Sequence, residues 1–501
     1  MENQSNQPWQ PYEAANSTPA TQRPFFPTGK KEVIFAGLIL LASLGLCNFT
    51  IFGGFNLGFA LAVIVCIACS FAYLLAAGCK PTAYSCSLLG LSIVIAAAFA
   101  RTDDGFVKFV MLCFLTVSVN LGLCLMAGQN LRAPGSVRSL LDAPRTLFRL
   151  GIGRIPEAFQ GLGQAFRRSG SIGQKGGAFL LGLCIAVPIL AIMIPLLISA
   201  DAAFDGLVAL LPEFDFEEFL STAILGSMLA CVLYVRCVAL RHSPKETPRE
   251  KTRKGLSPIT VNTVLGSVCL VFLAYLLSQL AYFVGGFAGI LPEEYTLAQY
   301  ARRGFFEMAF LCAINLGIIV LSLGLIRKEK AVPMSTRLLC LFISIVTLFL
   351  VATASAKMFL YIGSYGLTRL RVLTQIIMLF LALTTALVMV WLFVPKLPYM
   401  KAVVLAALII GAATIWVDVD TQVAHYNVDA YLSGELKSID LWYLNDLGNG
   451  AVPALAKLAE EAPDKDVAVT ADTYLKSRGI HQYEDLRGWN YVNLIAEKYT
   501  N

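Results

Sequence analysis

Long apolar runs recur along almost the whole chain and constrain its fold more than any other feature. We count about eleven of them, each approaching the roughly 20 apolar residues with which a helix crosses the hydrocarbon core of a bilayer. Each run is continuously apolar, which excludes the alternating pattern of a transmembrane β-barrel. The sequence therefore predicts an all-α fold, a polytopic transmembrane helical bundle of about 11 spans. The runs lie near residues 33–51, 55–78, 82–100, 106–127, 178–199, 219–239, 260–283, 304–326, 339–361, 372–394 and 401–417.

The overall composition supports the same class. Hydrophobic residues make up 57% of the 501 residues and charged residues only 14%, whereas charged residues make up about 25% of a typical soluble domain. A chain with so few charged residues is typical of an integral membrane protein. The lipid bilayer is therefore the first expected partner.

The distribution of lysine and arginine predicts the orientation of the spans, because short loops rich in these residues stay in the cytoplasm. Segments 128–177, 240–255 and 327–337 are rich in both residue types, whereas segment 200–218 carries carboxylates and no cation. The three basic segments fall on one side if the amino terminus is cytoplasmic, and with 11 spans the carboxyl terminus lies outside. The net charge of +6 is thus a topology signal, and no nucleic-acid partner is predicted.

Polar segments divide the chain into five parts. Residues 1–31 are polar and proline-rich, which predicts a disordered cytoplasmic amino terminus. Residues 32–127 hold the first four spans, 128–177 form a basic cytoplasmic loop, and 178–417 hold seven further spans with polar motifs at their outer ends. Residues 418–501 are polar with apolar residues at helical spacing, which predicts a small helical extramembrane domain outside the cytoplasm.

Residues that carry enzyme chemistry are scarce. The three histidines are scattered along the sequence, and the pair Cys66 and Cys69 lies inside an apolar run, where cysteines most often serve packing. The sequence predicts no catalytic residues, no metal site and no cofactor, and it favours a protein that is not an enzyme. The Asp-x-Asp pair Asp418 and Asp420 is the nearest approach to a divalent-metal fragment, but such a site needs further ligands.

Polar residues gather instead at the predicted outer ends of the spans in the second half of the chain. Ionisable residues within spans are costly and mark functional sites by default, and guanidinium and ammonium groups suit a phosphate or carboxylate. The alternative is structural: such cations snorkel to the headgroups, and tyrosines belong to the interfacial aromatic belt. The candidate ligand-binding residues are Arg302, Arg303, Glu307, Lys357, Tyr361, Tyr365, Arg369, Arg371 and Asp418.

Three blocks of the sequence carry a family resemblance. They are PEEYTLAQYARRGFFEM at 292–308, SAKMFLYIGSYGLTRLR at 355–371 and NVDAYLSGELKSIDLWYLNDLGNGAVPAL at 427–455. These blocks resemble, in the same order, those of an uncharacterised bacterial polytopic membrane family described only as a domain of unknown function. The resemblance implies a multi-pass protein of the bacterial plasma membrane and brings no substrate, reaction or catalytic residue. Gly450 departs from the pattern, since an acidic residue is expected before Ala-Val-Pro.

Three functional hypotheses follow. The first is binding of an anionic lipid headgroup or a small anion at an outward-facing vestibule, for transport or sensing. The alternative is a non-catalytic envelope scaffold that binds a partner protein through the carboxyl-terminal helical domain. A membrane-embedded transferase built on Asp418 and Asp420 is the least favoured.

Overall fold

The structure covers most of the predicted spans. The computed structural model of this chain describes residues 29–129, 146–149, 152–156, 193, 196–197, 216–243, 255–287, 305–326, 332–478 and 485–500. The predicted disordered amino terminus, most of the basic loop 128–177 and the predicted span at 178–199 lie outside these residues.

Within the described residues, nine helices are long and apolar enough to cross a membrane. A further apolar helix, Ala83–Ala98, has 16 residues and corresponds to the predicted run at 82–100. The chain is therefore a multi-pass membrane protein with an all-α fold, as the sequence predicts. The helices of the membrane part are α1 Lys30–Gly53, α2 Leu57–Ala76, α3 Ala83–Ala98, α4 Gly105–Ala127, α5 Phe216–His242, α6 Pro258–Phe287, α7 Phe305–Leu325, α8 Met334–Tyr365, α9 Arg369–Phe393 and α10 Tyr399–Val417.

Helices α1 to α5 form a first bundle around a continuous apolar core. Phe35, Leu74, Leu88 and Met111 are buried in this core. Small residues bring α3 and α4 close together, since a Cβ added at Gly122 would lie 2.9 Å from the side chain of Leu89. Close approach at small residues is the usual way in which membrane helices gain packing contacts.

Helices α6 to α9 form a second bundle with its own core. Leu265, Ile343 and Met378 are buried there. The amide of Asn315 donates to the hydroxyl of Thr347 over 3.0 Å, which satisfies two buried polar side chains between α7 and α8.

Helix α10 connects the two bundles. Tyr399 and Met400 at its start are buried in the second core, whereas Leu408, Ala412 and Ile415 are buried in the first core. The end of α10 consequently lies beside α3, where the Trp416 indole donates to the carbonyl of Val94 over 3.1 Å.

The residues after Val417 form a compact helical tail with a third apolar core. Val423, Leu444, Leu455, Leu458 and Ala496 are among its buried side chains. The last three helices, Val452–Glu461, Lys465–Ser477 and Tyr491–Thr500, are amphipathic and bury their apolar faces in this core. The tail helices are α11 Val419–Leu432, α12 Leu441–Asp446, α13 Val452–Glu461, α14 Lys465–Ser477 and α15 Tyr491–Thr500.

Candidate functional site

One arginine joins the tail to both bundles. The Nε and Nη2 atoms of Arg369, the first residue of α9, donate to the two carboxylate oxygens of Asp420 in the first turn of α11, over 2.6 and 2.8 Å. Its Nη1 atom lies 2.9 Å from the Oδ2 atom of Asp104, which precedes α4. Two-pronged contacts of this kind are the strongest that a guanidinium makes with a carboxylate. Arg369 is therefore a clamp between three parts of the fold.

Local helix capping holds Arg369 and Asp104 in place. Thr368 is the N-cap of α9 and accepts from the backbone N–H of Arg371. Asp104 is the N-cap of α4 and accepts from the backbone N–H of Val107 over 2.7 Å. Asp and Thr are preferred at N-caps because their side chains satisfy the first backbone donors of a helix. The backbone N–H of Arg369 donates to the Tyr443 hydroxyl over 2.6 Å, which adds a third contact with the tail.

Burial shapes the electrostatics of the two carboxylates at the start of the tail. It raises the pKa of the Asp420 carboxyl above its ordinary value of 3.8, and the hydrogen bonds from Arg369 offset only part of that rise. Burial likewise raises the pKa of Asp418, against the hydrogen bond from Thr421 and the attraction of Arg101. Both carboxylates thus carry a desolvation cost when they are ionised.

Asp418 marks the junction between the membrane part and the tail. Its φ of +52° places it in the left-handed region, where aspartate and asparagine are tolerated better than most residues. The Thr421 hydroxyl donates to its Oδ2 atom over 2.7 Å. The sharp change of direction at this residue ends α10 and starts α11.

A second arginine makes another contact between the tail and the first bundle. The guanidinium of Arg101 lies 5.4 Å from the ring centre of Trp416 and 4.8 Å from that of Tyr491. Cations held over aromatic faces in this way are stabilised by the negative charge of the ring face. The backbone N–H of Tyr491 also donates to the carbonyl of Ala100 over 2.8 Å, and Asn490 donates to the carbonyl of Thr102.

The candidate residues Tyr361, Tyr365 and Arg371 lie together beside this clamp. The rings of Tyr361 and Tyr365 are 5.0 Å apart between centres. The guanidinium of Arg371 lies 4.4 Å from the ring centre of Tyr361. Its Nη1 atom donates to the backbone carbonyl of Tyr365 over 2.9 Å and to that of Gly366. We call these three residues, with Lys357 one turn away on α8, the tyrosine–arginine stripe.

Apart from Lys357, the remaining candidate residues in the described part of the chain lie outside the stripe. Lys357 is half-buried on α8, and Glu307 is exposed in the first turn of α7. Arg302 and Arg303 lie outside the described residues. Arg369 and Asp418 belong to the clamp region, and neither contacts the stripe through a hydrogen bond or ion pair among the described residues. The predicted vestibule thus divides into a clamp and a stripe.

The structure gives little support for a metal centre built on Asp418 and Asp420. Asp420 is turned to Arg369, whereas Asp418 accepts from Thr421. Among the described residues, no group of three His, Cys, Asp or Glu side chains has the arrangement of a metal site. Both carboxylates therefore have hydrogen-bond partners from the protein itself.

Sequence reasoning missed the first-bundle contributions to the clamp region, Arg101 and Asp104. A signal for them exists in the stretch RTDDG at 101–105. The predicted topology places this turn at the same end of the bundle as the start of α9 and the end of α10. Charged residues in a short turn between spans, opposite an arginine-rich hairpin, indicate a charge pair across the bundles.

The departure at Gly450 has a packing explanation. A Cβ at this position would lie 2.9 Å from the Thr421 Oγ1 atom and 3.4 Å from its backbone nitrogen. The turn containing Gly450 therefore packs directly on the first turn of α11. A larger acidic residue would have to displace that turn and, with it, Asp420.

Comparison with known families identifies the chain. Residues 85–458, more than half of the chain, match the family described as a domain of unknown function, DUF4153. The matched region includes all three sequence blocks, which confirms the resemblance they suggested. Curated proteins and solved structures give no match. The chain belongs to the DUF4153 family, and it does so as a multi-pass membrane protein.

Proposed function

We propose that this protein binds an anionic lipid headgroup or a small anion at the tyrosine–arginine stripe, for sensing or transport. The observation that carries the proposal is the stacking of the Arg371 guanidinium on Tyr361, 4.4 Å from the ring centre, beside Tyr365. A phosphate or carboxylate is the chemistry that a guanidinium flanked by phenol hydroxyls recognises best.

The donors of Arg371 support this proposal. Only its Nη1 atom forms hydrogen bonds with the described residues, and both go to backbone carbonyls of the α8–α9 turn. A guanidinium has five N–H donors in a planar fork. Among the described residues no group accepts from its Nε and Nη2 donors, whereas the guanidinium of Arg369 is already engaged by two carboxylates.

The helical spacing adds Lys357 to the same stripe. Lys357, Tyr361 and Tyr365 are separated by four residues each, so they follow one face of α8. At 1.5 Å rise per residue, Lys357 lies about 6 Å deeper than Tyr361. A lysine at that depth is costly unless it faces a partner or a cavity, and an anion held between it and Arg371 would be contacted from two sides.

The exposure of the stripe fits a ligand that arrives from the membrane–water interface. Tyr365 is 56% exposed and the neighbouring Leu370 is 60% exposed. Tyrosine is enriched at this depth because it combines an apolar ring with a polar tip. With the amino terminus in the cytoplasm, as the basic loops predict, the stripe faces the outside of a bacterial plasma membrane.

Native mass spectrometry of the purified protein tests the proposal. Wild type is compared with Arg371→Met and Lys357→Met, and Arg337→Met at the other end of α8 serves as the control for any interfacial cation. We expect wild type and the control to retain a defined lipid or anion adduct, and the two stripe variants to lose at least about tenfold of its occupancy, which corresponds to about 1.4 kcal/mol of binding energy. Equal adduct occupancy in all four proteins would contradict the proposal and leave snorkelling as the role of these cations.

A second candidate function is docking of an envelope protein on the tail. Two large apolar side chains of the tail favour it, because Trp442 is 72% exposed and Leu486 is 73% exposed. A photo-crosslinking amino acid at Leu486 would give one discrete cross-linked protein in living cells if this candidate is right. Cross-links to lipid alone would reject it.

A further inference from the structure

Another buried arginine, Arg236, lies at the end of the first bundle away from the tail. Arg236 is on α5, and only 4% of its surface is exposed. It sits six residues before His242, the last residue of the helix, which corresponds to about 9 Å along the axis. Arginines near helix ends usually extend to the headgroups, but this side chain is enclosed by the bundle.

The contacts of Arg236 do not neutralise its charge. Its Nη2 atom lies 3.5 Å from the Sγ atom of Cys124 on α4. Its Nη1 atom is buried and has no hydrogen-bond partner in the part of the chain that the structure describes. No carboxylate of the described residues forms an ion pair with it, in contrast to Arg369, which contacts two carboxylates.

Such an arrangement is costly for a residue that cannot lose its charge. Arginine stays protonated in proteins, and a buried charge needs a paired and hydrogen-bonded counter-ion. An ionisable residue enclosed within membrane helices is therefore a site by default.

Neutral polar side chains lie around the cysteine that Arg236 contacts. None of the described residues that contact Arg236 carries a negative charge. Asn120 and Thr146 are buried at 4% and 5% exposure, and the Cys124 Sγ atom lies 3.3 Å from the Thr146 hydroxyl. Nearby at the same end, Arg154 is 9% exposed and donates to the Ser243 hydroxyl over 2.9 Å. A guanidinium among neutral polar groups suits an oxyanion and not a cation.

We infer that Arg236 binds an oxyanion, a phosphate group, between α4 and α5 at the end of the first bundle away from the tail. The Nη1 atom, which has no hydrogen-bond partner among the described residues, donates to an oxygen of the phosphate. The phosphate belongs to either a lipid headgroup or free phosphate. This site shares no residue with the tyrosine–arginine stripe and lies at the other end of the molecule, so either can fail without the other.

The test measures the thermal unfolding of delipidated, full-length protein in detergent. One arm adds inorganic phosphate at matched ionic strength, and the other adds phosphatidylglycerol, with diacylglycerol as its phosphate-free control. The variants are Arg236→Gln, which removes the charge, and Arg241→Gln, which removes an exposed arginine from the same helix.

We expect at least one phosphate source to raise the Tm of wild type and Arg241→Gln by roughly 2 °C or more, and neither source to raise that of Arg236→Gln. A response to phosphate identifies free phosphate, and a response to phosphatidylglycerol alone identifies the headgroup. Absence of any response in wild type, or an equal response in Arg236→Gln, would overturn the inference. An Arg236→Gln protein that does not fold would also overturn the inference. The anion is removed before the measurement, so an arginine that serves only to bind it should not be needed for folding.

Discussion

Removal of the Arg369 clamp should loosen the tail. Arg369→Met leaves the Asp420 carboxylate, whose side chain is 8% exposed, without its two guanidinium hydrogen bonds. Breaking one partner of a buried ion pair typically costs about 3–5 kcal/mol. The Arg369 side chain is itself 28% exposed, so water replaces part of the loss and we take the lower end, about 3 kcal/mol.

The matched control is the arginine two residues further along the chain. Arg371 contacts backbone carbonyls and a tyrosine ring but no carboxylate among the described residues. Its replacement by Met should cost about 1 kcal/mol or less. The double variant Arg369→Met with Asp420→Asn should recover about half of the loss, because it leaves no uncompensated charge.

Amide hydrogen exchange of α11 in lipid nanodiscs measures this loss directly, since it reports local opening of the tail and not unfolding of the membrane helices. A cost of 3 kcal/mol corresponds to about 100-fold faster exchange of protected amides. Exchange in Arg369→Met that equals exchange in Arg371→Met would refute the reasoning. A double variant whose α11 amides exchange faster than those of Arg369→Met alone would also refute it.

Two further substitutions test the junction between the bundles and the tail. Gly366→Ala should destabilise tail docking by about 2 kcal/mol, because φ at this residue is +74° and its new Cβ would lie 2.5 Å from the Asn427 Oδ1 atom. Gly363→Ala, with open space around it, should leave the α11 exchange rates unchanged. Asp418→Asn should be at least as stable as wild type at pH 7. The pKa of Asp418 in the folded protein is raised above 3.8, so this carboxyl favours the folded state fully below pH 3.8, and that contribution to stability is lost as the pH rises through the raised pKa. The Tm of Asp418→Asn should therefore fall less than that of wild type between about pH 4 and about pH 7, and a steeper fall would contradict the sign of this effect.

The membrane helices were predictable because the bilayer leaves few alternatives. A backbone that crosses hydrocarbon must satisfy its own hydrogen bonds, so a long apolar run has to be helical. The ends of the helices were less predictable: α8 extends from Met334 to Tyr365, beyond the apolar run at 339–361. Its two ends are more polar than its middle, so the apolar run alone does not mark where the helix begins and ends.

The separation of Arg369 from Arg371 within the candidate site was partly predictable from the sequence. Arg369 and Arg371 are two residues apart on one helix, so their side chains leave the axis about 200° apart. Both arginines were nevertheless predicted to line one vestibule, although this spacing separates the directions of their side chains. Arg369 turns to the tail, and Arg371 turns to the tyrosines of α8.

The partner of Arg369 in the first bundle was not predictable from local sequence. Asp104 precedes it by most of the membrane part of the chain, and α10, whose residues are buried in both cores, helps to bring the two bundles together. Pairing across such a distance depends on how whole helices pack, which periodicity and spacing do not specify. Topology limits Asp104 to the correct end of the bundle and no further.

The central claim is that the tail is docked on the ends of both bundles at one fixed position. Site-specific photo-crosslinking from Tyr491 tests it most directly, because this residue contacts the α3–α4 turn through Ala100 and Arg101. A crosslinking amino acid at Tyr491 should join the tail to the peptide that contains residues 99–104, whereas the same group at Tyr499, 51% exposed on the same helix, should not. Equal cross-linking from the two positions, or none from Tyr491, would contradict the account.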